Sequence, residues 1–557
     1  MTLYLAEETF LLYARISGSA NCTVVGSKMH DRFAITRIGR LVASVNTINA
    51  ICRRGPHLLV ASQSTTMIPS AFSQTLAKEL PQNPYEVAVL HLNSLQSNAI
   101  TLQKLRQKRN ILQETNIPNT IFFLNKCGIE LNQLDGLNII HVSGTKGKGS
   151  TCAFVESILR KAGYRTGLYT SPHLVTARER IRINGKPISE ALFAKHFFTV
   201  YDKLKKDEDS DGMPAYFKFL TLLSFHVFLE ESVDVAIVEV GIGGEYDCTN
   251  IIPHPVVCGI STLDIDHTSI LGSTLPSIAW NKAGILKDGT PAVMTPAPAD
   301  ALSVIEDRSL ERGAVLRKAP PYESYSFATG TVSAGIDGEH QKVNISLALQ
   351  LTRAWLKRMG REEDVYPEAC ENEWHIGQPF SVPQLVVEGI ESCRWPGRSQ
   401  IVNTERITYY LDGAHTPKSM EMCSLWFGKA VAKTPKMKRV LVFHCTADRK
   451  PSTLLPYLSK HSFDYALFCP TALKVSPDLK SDLTNINQSL NEQLVRSHQC
   501  AAAWKELGTG EISVFDCVTS AVEHIEHLSR KETLDVFVTG SLHLVGGVLS
   551  LIEPSID

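Results

Sequence analysis

A glycine- and lysine-rich segment, residues 141–151, constrains the fold of this chain more than any other stretch of its sequence. It has three glycines and two lysines within positions 144–149. The apolar run 137–142 precedes it, and a helical pattern of apolar residues begins near Phe154. A strand, a glycine-rich turn and a helix start together form a cradle for nucleotide phosphates, because backbone N–H groups turn inward and the helix N-terminus is electropositive. An ordinary basic turn is the alternative.

The spacing within this segment differs from that of the standard phosphate loop. The standard loop places its first glycine five positions before the Gly-Lys pair and a Ser or Thr directly after the lysine. Here Gly144 lies three positions before Gly147, and Gly149 separates Lys148 from Ser150. This shorter loop resembles that of the Mur ligase and folylpolyglutamate synthase superfamily, whose members join an amino acid to a carboxylate using ATP.

Length and composition restrict the function classes. With 557 residues, the chain is longer than one ordinary domain, which favours two globular domains and a tail. Its formal net charge of −1 gives no bulk electrostatic reason to expect binding to nucleic acid or to a membrane surface. The 13 cysteines are scattered without a CxxC pair, which predicts reduced thiols in the cytosol or mitochondrial matrix. No apolar run is long enough to predict a membrane span.

Residues 1–82 differ in composition from the rest of the chain. Between positions 28 and 74 they contain five arginines and a single acidic residue, Asp31. This composition is typical of a mitochondrial transit peptide. Met67 follows the arginine-rich stretch, so alternative starts would give a mitochondrial matrix form and a cytosolic form. The alternatives are a disordered extension without a targeting role and an artefact of gene assignment.

From about Pro84 onward, the apolar pattern predicts a first α/β domain over 83–395. Continuous runs of β-branched residues bounded by glycine are typical of buried parallel strands. Strands are predicted over 137–142, 165–170, 233–240 and 256–263. Helices are predicted over 85–99, 120–127, 149–162 and 217–230. The region 297–380 is less regular and receives no assignment.

A turn-rich linker, residues 395–398, separates this domain from a second alternation over 396–557. Short strands are predicted over 407–411, 439–444, 465–469, 511–515 and 535–538, with a helix over 519–528. The predicted fold class is therefore α/β, with two doubly wound domains: an N-terminal phosphate-loop ATPase domain and a smaller C-terminal Rossmann-like domain. A cleft between two such domains suits an enzyme with two substrates.

Acidic side chains follow two predicted strands of the first domain. Glu239 lies at the end of the strand over 233–240, where a carboxylate is placed to hold Mg²⁺ beside the phosphates. A helix cap is the alternative role for Glu239. Asp264, Asp266 and His267 follow the next strand and form a candidate metal edge, for which a solvated turn is the alternative. We select His267 from this group.

Several motifs together resemble the eukaryotic folylpolyglutamate synthase family. These motifs occupy residues 144–151, 169–174, 178–181, 239–250, 266–268 and 395–398. The resemblance covers about residues 84–552 and leaves out the N-terminal extension. Some family members have both mitochondrial and cytosolic forms, which favours the targeting interpretation of residues 1–82.

The resemblance implies a role for named residues of the first domain. The residues implied to bind the ATP phosphates are Gly147, Lys148, Gly149 and Ser150. The residues implied to bind Mg²⁺ are Ser171, Glu239 and His267. Lys282 matches a lysine that the superfamily carbamylates, which would supply a carboxylate for a second Mg²⁺. Such a lysine must lose its proton, so we expect burial or neighbouring cations to depress its pKa. A surface helix lysine is the alternative.

The resemblance also implies roles for residues nearer the second domain. Arg398 and Asp412 match residues that contact ATP, and an interdomain salt bridge is the alternative for either of them. Arg398 could neutralise the transferring phosphoryl group together with Lys148. Asn344 resembles an asparagine on the adenine side. His415 and Ser541 match residues that bind the incoming glutamate.

The activity implied is an ATP-dependent ligase that adds L-glutamate to the γ-carboxyl of reduced folates and folylpolyglutamates through an acyl phosphate. This reaction would serve folate retention and one-carbon metabolism. The expected partners are small molecules only, with no nucleic acid, no stable membrane insertion and a monomeric state. The alternatives are dihydrofolate synthase, which performs the sister reaction on a pteroate, and a nucleotide-binding relative without turnover.

Overall fold

A computed structural model describes residues 83–96, 109–206, 212–367, 373–432, 437–446, 449–476, 478–484, 488–508 and 510–553. The predicted targeting extension, with Met67, lies outside these described residues. All of the described residues belong to one compact unit, Leu80–Asp557. Two large β-sheets organise this unit. We call the part built on the first sheet the large lobe and the part built on the second sheet the small lobe.

Short, mostly apolar segments form the strands. In chain order they are β1 (Ile140–Ser143), β2 (Thr166–Tyr169), β3 (Ile181–Ile183), β4 (Lys186–Pro187), β5 (Val235–Glu239), β6 (Val257–Ile260), β7 (Pro291–Met294), β8 (Val315–Lys318), β9 (Ser326–Phe327), β10 (Ser381–Val382), β11 (Gln400–Asn403), β12 (Ile407–Leu411), β13 (Lys438–Phe443), β14 (Tyr465–Phe468), β15 (Glu511–Val514) and β16 (Leu534–Thr539). All nine predicted strands are present, each with bounds within three residues of the prediction.

The two sheets confirm the predicted α/β fold class. The large-lobe sheet has the strand order β4-β3-β2-β5-β1-β6-β7-β8, and the small-lobe sheet has the order β11-β12-β16-β13-β14-β15. Neighbouring strands are parallel except at one edge of each sheet, where β2–β3, β3–β4 and β11–β12 are antiparallel. The predicted boundary after residue 395 lies shortly before β11 and stays a prediction.

Helices connect and cover these strands. They are α1 (Pro84–Ser94), α2 (Arg109–Lys126), α3 (Lys148–Lys161), α4 (Glu190–Lys205), α5 (Tyr216–Glu230), α6 (Thr268–Leu271), α7 (Leu275–Lys282), α8 (Ala299–Glu311), α9 (Gln341–Arg358), α10 (Gln384–Ser392), α11 (Pro417–Val431), α12 (Pro451–Leu454), α13 (Leu490–Lys505), α14 (Val518–Ser529) and α15 (Leu542–Ile552). No helix in the described ranges combines the length and apolar character that a membrane span requires.

Two helix predictions were wrong at their ends. Helix α1 ends at Ser94, because the N–H groups of Leu95 and Gln96 bond to carbonyls three residues back and close the last turn. The predicted part over 97–99 lies outside the described residues. Helix α2 begins at Arg109 instead of 120. Pro118 lies inside it, and its first half is polar, so the helical pattern is hidden there.

The unassigned region 297–380 contains α8, β8 and the long helix α9. Helix α9 lacks a clear apolar face because polar side chains are buried along it among apolar ones. Helix α10 lies against α3 at a close approach: a Cβ at Gly389 would lie 2.8 Å from the Cα of Ile158. These contacts hold α3, and with it the predicted phosphate loop, between two helices and the sheet.

Strand β1 marks a topological switch in the large lobe. It lies between β5 and β6, and the chain leaves it for β2 on one side and later enters β6 on the other. Connections that diverge in this way leave a crevice at the carboxyl ends of the strands, where α/β proteins bind ligands. The loops after β1, β5 and β6 therefore meet at one edge of the sheet.

Candidate active site

The loop between β1 and α3 is the predicted phosphate loop. Its backbone is held from the neighbouring strand end, where the N–H groups of Thr145 and Lys146 donate to the carbonyl of Thr262 at 3.0 and 2.9 Å. Gly147 has a φ of 82°, in the left-handed region. A Cβ at this position would lie 2.1 Å from Oδ1 of Asn344. Glycine is therefore required here by both the backbone conformation and the available space.

Helix α3 begins at Lys148, directly after this glycine. Gly147 has no side chain that could cap the helix. The N–H groups of the first turn therefore remain for a ligand. Gly149 and Ser150 lie in this turn, and Ser150 is buried. These N–H groups and the positive end of the helix dipole form the kind of site that binds a phosphate.

The carboxylate of Glu239 lies at the end of β5, close to this turn. Its Oε2 accepts a hydrogen bond from the backbone N–H of Ser171 at 2.9 Å, and its Oε1 lies 3.8 Å from Nζ of Lys148. Burial raises the pKa of Glu239, whereas the Lys148 ammonium, the Ser171 N–H and the Arg398 guanidinium act to lower it. The structure thus brings together four residues that sequence analysis selected from distant parts of the chain: Lys148, Ser171, Glu239 and Arg398.

The chemistry of these groups fits a magnesium ion. Glu239 supplies a buried carboxylate and Ser171 a neighbouring hydroxyl, and Mg²⁺ binds hard oxygen ligands of this kind. His267 is exposed in the left-handed conformation before α6, and its backbone N–H bonds to the side chain of Asp266. The role of His267 as a metal ligand stays a prediction.

Lys282, the last residue of α7, is buried beside the phosphate loop. Its Nζ donates a hydrogen bond to the carbonyl of Gly144 at 2.7 Å. Burial lowers the pKa of Lys282 well below its ordinary value, and the nearby ammonium of Lys148 lowers it further. The surface-lysine alternative is therefore wrong, and the expected depression of the pKa is confirmed. Carbamylation itself stays a prediction.

Asp412 follows β12 and stabilises the turn that carries Arg398. Its Oδ2 accepts from the N–H of Ser399 and its Oδ1 accepts from the N–H of Ala414, each at 2.9 Å. The guanidinium of Arg398 donates to the carbonyl of Gly397 at 3.2 Å. Asp412 thus supports the small-lobe backbone next to Arg398, and the guanidinium is left close to Glu239 across the cleft.

Four side chains, Lys146, Asp266, His415 and Arg449, form an interlobe charge cluster beside the phosphate loop. Nζ of Lys146 donates to Oδ2 of Asp266 at 2.8 Å and lies 3.3 Å from Nε2 of His415. Arg449 donates to Oδ1 of Asp266 at 3.1 Å and also to the backbone carbonyl of His415. Sequence analysis selected the neighbouring His267 instead of Asp266 and missed Lys146 and Arg449.

Burial and charge control the titration of this cluster. Burial lowers the pKa of His415 to about 4, and the cations of Lys146 and Arg449 act in the same direction, whereas Asp266 opposes them. Burial acts to raise the pKa of Asp266, but the nearby His415 ring and the Lys146 ammonium bring it below the ordinary value. At neutral pH the cluster therefore contains a neutral imidazole beside an ionised carboxylate.

Ser541 and His415 lie past the carboxyl ends of neighbouring small-lobe strands. Strands β12 and β16 pair in parallel, with Leu411 opposite Val538. His415 follows β12, and Ser541 follows β16 as the buried residue that precedes α15. The two residues predicted to bind glutamate therefore share one edge of the small-lobe sheet, and His415 contacts the large lobe there.

Two cavities lie between the lobes. The smaller one, of about 50 Å³, is lined by Ser171, Glu239 and Trp395 from the large lobe and by Arg398 and Leu542 from the small lobe. We call this the cleft. Pockets that hold small-molecule ligands usually measure about 300–1,000 Å³. The cleft is therefore smaller than the pockets that usually hold a small-molecule ligand.

The larger cavity measures about 500 Å³ and adjoins the start of α9. Its lining includes His340 from the large lobe and the aromatic side chains of Tyr410 and Trp426 from the small lobe. Asn344 lies one turn further along α9, against Gly147. Helix α9 therefore connects the cavity, through His340 at its start, with the phosphate loop, through Asn344.

Known proteins are similar in sequence to this chain over most of its length. A family profile described as the C-terminal domain of dihydrofolate synthetase matches residues 398–551. A Caenorhabditis elegans protein with a provisional folylpolyglutamate synthase name is 49% identical over 504 residues, which cover 89% of this chain and 97% of that protein. The human protein named mitochondrial folylpolyglutamate synthase is 40% identical over 554 residues, which cover 86% and 94%. This chain belongs to the folylpolyglutamate synthase family.

A solved structure agrees with this family assignment. The structure of E. coli FolC in complex with DHPP and ADP is 25% identical to this chain, with a TM-score of 0.58. The match covers 78% of this chain and 92% of that structure. The resemblance inferred from the sequence motifs is therefore confirmed.

The interlobe charge cluster makes a prediction about the titration of His415. Replacing Lys146 with Met removes a cation that lowers the pKa of His415, so this pKa should rise from about 4 toward the ordinary histidine value. NMR titration of histidine-labelled protein would measure the change. Lys418→Met is the matched control, because Lys418 is an exposed lysine that pairs with Glu421 on α11. An unchanged or lower pKa in Lys146→Met would contradict the arrangement.

Proposed function

We propose that this chain catalyses the ATP-dependent addition of L-glutamate to the γ-carboxyl of reduced folates and folylpolyglutamates. Membership of the folylpolyglutamate synthase family supports this activity. The complex of E. coli FolC with ADP supports ATP as the nucleotide. The structural observation that carries the proposal is the meeting of Lys148, Ser171, Glu239 and Arg398 at the cleft between the lobes.

The first step activates the folate. A carboxylate is a poor electrophile, so its oxygen attacks the γ-phosphorus of ATP, which forms an acyl phosphate and releases ADP. The N–H groups at the start of α3 and the ammonium of Lys148 hold the phosphates, and Arg398 neutralises charge on the transferring phosphoryl group. Mg²⁺, held by Glu239 and Ser171, would neutralise further phosphate charge when bound.

The second step forms the amide bond. The amine of L-glutamate attacks the acyl carbon and loses a proton, and the tetrahedral intermediate expels phosphate. His415 and Ser541 hold the glutamate on the small-lobe side, next to the interlobe charge cluster. Closure of the lobes brings the amine against the acyl phosphate and excludes water, which would otherwise hydrolyse it.

The nucleoside end of ATP is assigned to the larger cavity. This placement follows from helix α9, where His340 at the start lines that cavity and Asn344, one turn later, contacts the phosphate loop. Tyr410 and Trp426 provide aromatic surfaces there for a planar base. Asp412 keeps the turn beside Arg398 in place while the phosphates lie next to it.

Lys282 is proposed to act as a carbamate. Its amine is buried beside the phosphate loop, and its depressed pKa favours the neutral form that reacts with carbon dioxide. The product would replace a buried cation with a carboxylate, which could bind a second Mg²⁺. His267 would complete the first metal site if the exposed ring turns toward Glu239.

Dihydrofolate synthase activity is the second candidate function. It is favoured by the family profile over 398–551, whose description names dihydrofolate synthetase. This reaction uses the same chemistry on a pteroate carboxylate, so the site geometry accommodates both. The convergence of the four cleft residues argues against a nucleotide-binding relative without turnover.

We also propose that the protein acts as a monomer on small molecules, in the mitochondrial matrix and the cytoplasm. The name of the human relative as a mitochondrial protein supports the first location. The composition of residues 1–82, with Met67 behind the arginine-rich stretch, supports two forms with different starts.

Lys148→Ala tests the phosphate site. Loss of one preorganised cation at the transferring phosphoryl group should reduce glutamate ligation by about 100-fold or more. The assay uses MgATP, tetrahydrofolate and labelled glutamate and scores longer folate products and ADP release. Lys161→Ala is the control, because Lys161 lies on the same helix but pairs with Glu388 at the surface. Unchanged ligation by Lys148→Ala would contradict the assignment.

The same assay separates the two candidate functions. Glutamate addition to tetrahydrofolate but not to dihydropteroate is the result expected of a folylpolyglutamate synthase. Addition to dihydropteroate alone would reject that function in favour of dihydrofolate synthase.

Lys282→Ala tests the carbamate. The variant should lose ligation, and added acetate should restore part of it, because a free carboxylate can occupy the space that the carbamate leaves. The rate of ligation against acetate concentration is the measurement. Lys287→Ala treated in the same way is the control, since Lys287 bonds to the Asn250 carbonyl away from the loop. Full activity of Lys282→Ala without acetate would contradict the proposal.

The two proposed start methionines predict two cellular locations for the protein. The chain beginning at Met1 should enter mitochondria, and the chain beginning at Met67 should remain in the cytoplasm, because it lacks the arginine-rich stretch. Imaging of each chain with a C-terminal fluorescent tag would show this. The same location for both chains would rule out the targeting interpretation.

A further inference from the structure

Residues 478–484 of the small lobe, here called the strap, reach across to the first helix of the large lobe. Nδ2 of Asn93 donates hydrogen bonds to the carbonyls of Leu479 and Ser481, each at 3.0 Å. Nε2 of Gln96 donates to another strap carbonyl at 2.9 Å. These bonds attach the strap to the end of α1.

Asp482 is the strap residue that contacts the large lobe most closely. Its Oδ1 accepts hydrogen bonds from the hydroxyl of Tyr85 and from the backbone N–H of Ala177, each at 2.6 Å. Its carbonyl lies 3.0 Å from Nε2 of His173. Burial raises the pKa of Asp482 to about 6, although the bonds from Tyr85 and Ala177 oppose the shift. A carboxylate is stable in such surroundings only with its donors in place.

His173 and Ala177 belong to the 170–180 loop, which joins β2 to β3 and forms one wall of the cleft. Glu179 organises this loop from inside, since it accepts hydrogen bonds from three consecutive backbone N–H groups. Arg180 donates to Nδ1 of His173 at 2.9 Å. The loop is therefore ordered by its own hydrogen bonds.

Leu174 is the second point at which the small lobe contacts this loop. Its side chain belongs to an apolar cluster of the small lobe that includes Leu544 and Val545. A Cβ at Gly546 of α15 would lie 1.9 Å from the carbonyl of Leu174, so the glycine is required for the contact. The loop thus belongs to the large lobe by sequence. It contacts the small lobe through its own Leu174 and through the bonds that Asp482 of the strap accepts.

We propose that Asp482 is a positioning residue for the folate substrate. Through the strap, the small lobe sets the position of the 170–180 loop and so the shape of the cleft wall against which the folate carboxylate is activated. Asp482 acts through this loop and is not among the residues that line the cleft. The inference rests on the proposed function, because that function places the folate carboxylate in the cleft.

The effect of losing Asp482 should be selective for one substrate, because the phosphate loop is anchored separately from the 170–180 loop. Its anchors are the carbonyl of Thr262 and the contact of Gly147 with Asn344. Loss of Asp482 should therefore act most strongly on the folate side of the cleft, and it should affect ATP to a smaller extent through Ser171, whose N–H bonds to Glu239. A general loosening of the lobes would instead affect ATP, folate and glutamate together.

Three full-length variants test this role. Asp482→Ala removes the acceptor, and Asp482→Asn keeps an oxygen at the same place without the charge. Asp478→Ala is the matched control, because Asp478 is an exposed strap aspartate whose side chain bonds to the N–H of Lys480 within the strap. Hydrogen–deuterium exchange of peptides covering 170–180 and the KM values for tetrahydrofolate, ATP and L-glutamate are measured for each.

In Asp482→Ala we expect faster exchange in the 170–180 loop and a rise of about tenfold or more in the KM for tetrahydrofolate, since hydrogen bonds to a charged acceptor contribute on this scale. The KM for ATP should rise by less than the KM for tetrahydrofolate, because the bonds of Asp482 do not reach the phosphate loop and act on the ATP side through Ser171. Asp482→Asn should recover part of both effects, because it keeps the acceptor oxygen without the charge, and Asp478→Ala should show neither.

Unchanged exchange in the loop, an unchanged KM for tetrahydrofolate, or equal rises in KM for all three substrates would overturn the proposal. If Asp482→Ala does not fold, Tyr85→Phe removes one donor and should change the same two readouts in the same direction, to a smaller extent. Absence of ligation by the unaltered protein would reject the proposed function, and the exchange measurement would still decide whether Asp482 positions the loop.

Discussion

The carboxylate of Glu239 is buried at the end of β5, beside the first turn of α3. The groups around it come from three parts of the chain and hold the cleft together. Burial alone destabilises the charged form, and it is offset by the Lys148 ammonium, the Ser171 N–H and the Arg398 guanidinium. These three groups come from the phosphate loop helix, the 170–180 loop and the small lobe. Removing the carboxylate would leave two cations facing each other without a counter-charge. The carboxylate is suited to a metal ion, and the two cations are suited to nucleotide phosphates.

Two sheet edges with different chemistry meet at this point. The large-lobe edge carries the phosphate loop, Glu239 and the buried Lys282, which are groups suited to phosphates and a hard metal ion. The small-lobe edge carries His415 and Ser541, beside the interlobe charge cluster. Because each edge lies at the carboxyl ends of parallel strands, the fold brings together the residues proposed to hold the activated acid and those proposed to hold the amine. The strap and Leu174 then connect the position of the small lobe to the cleft wall.

Local patterns predicted the strands well, because an apolar run ending in glycine or an acid reflects burial at that same place. Contacts between distant residues left no such pattern. Lys146 and Asp266 lie 120 residues apart, Arg449 and Asp266 lie 183 apart, and Tyr85 and Asp482 lie 397 apart. Helix α9 was missed because its buried polar residues hide its apolar face. Asn344 was placed on the adenine side only through family resemblance, and the structure adds its contact with Gly147.

A crystal structure with Mg²⁺, a non-hydrolysable ATP analogue and a reduced folate would test the central claim most directly. The account predicts that the γ-phosphate lies within hydrogen-bond distance of Lys148 and Arg398, with the metal on Glu239 and the folate γ-carboxyl against the 170–180 loop. The nucleoside should lie toward His340 and Trp426. A nucleotide bound away from the first turn of α3, or a folate outside the cleft, would contradict it.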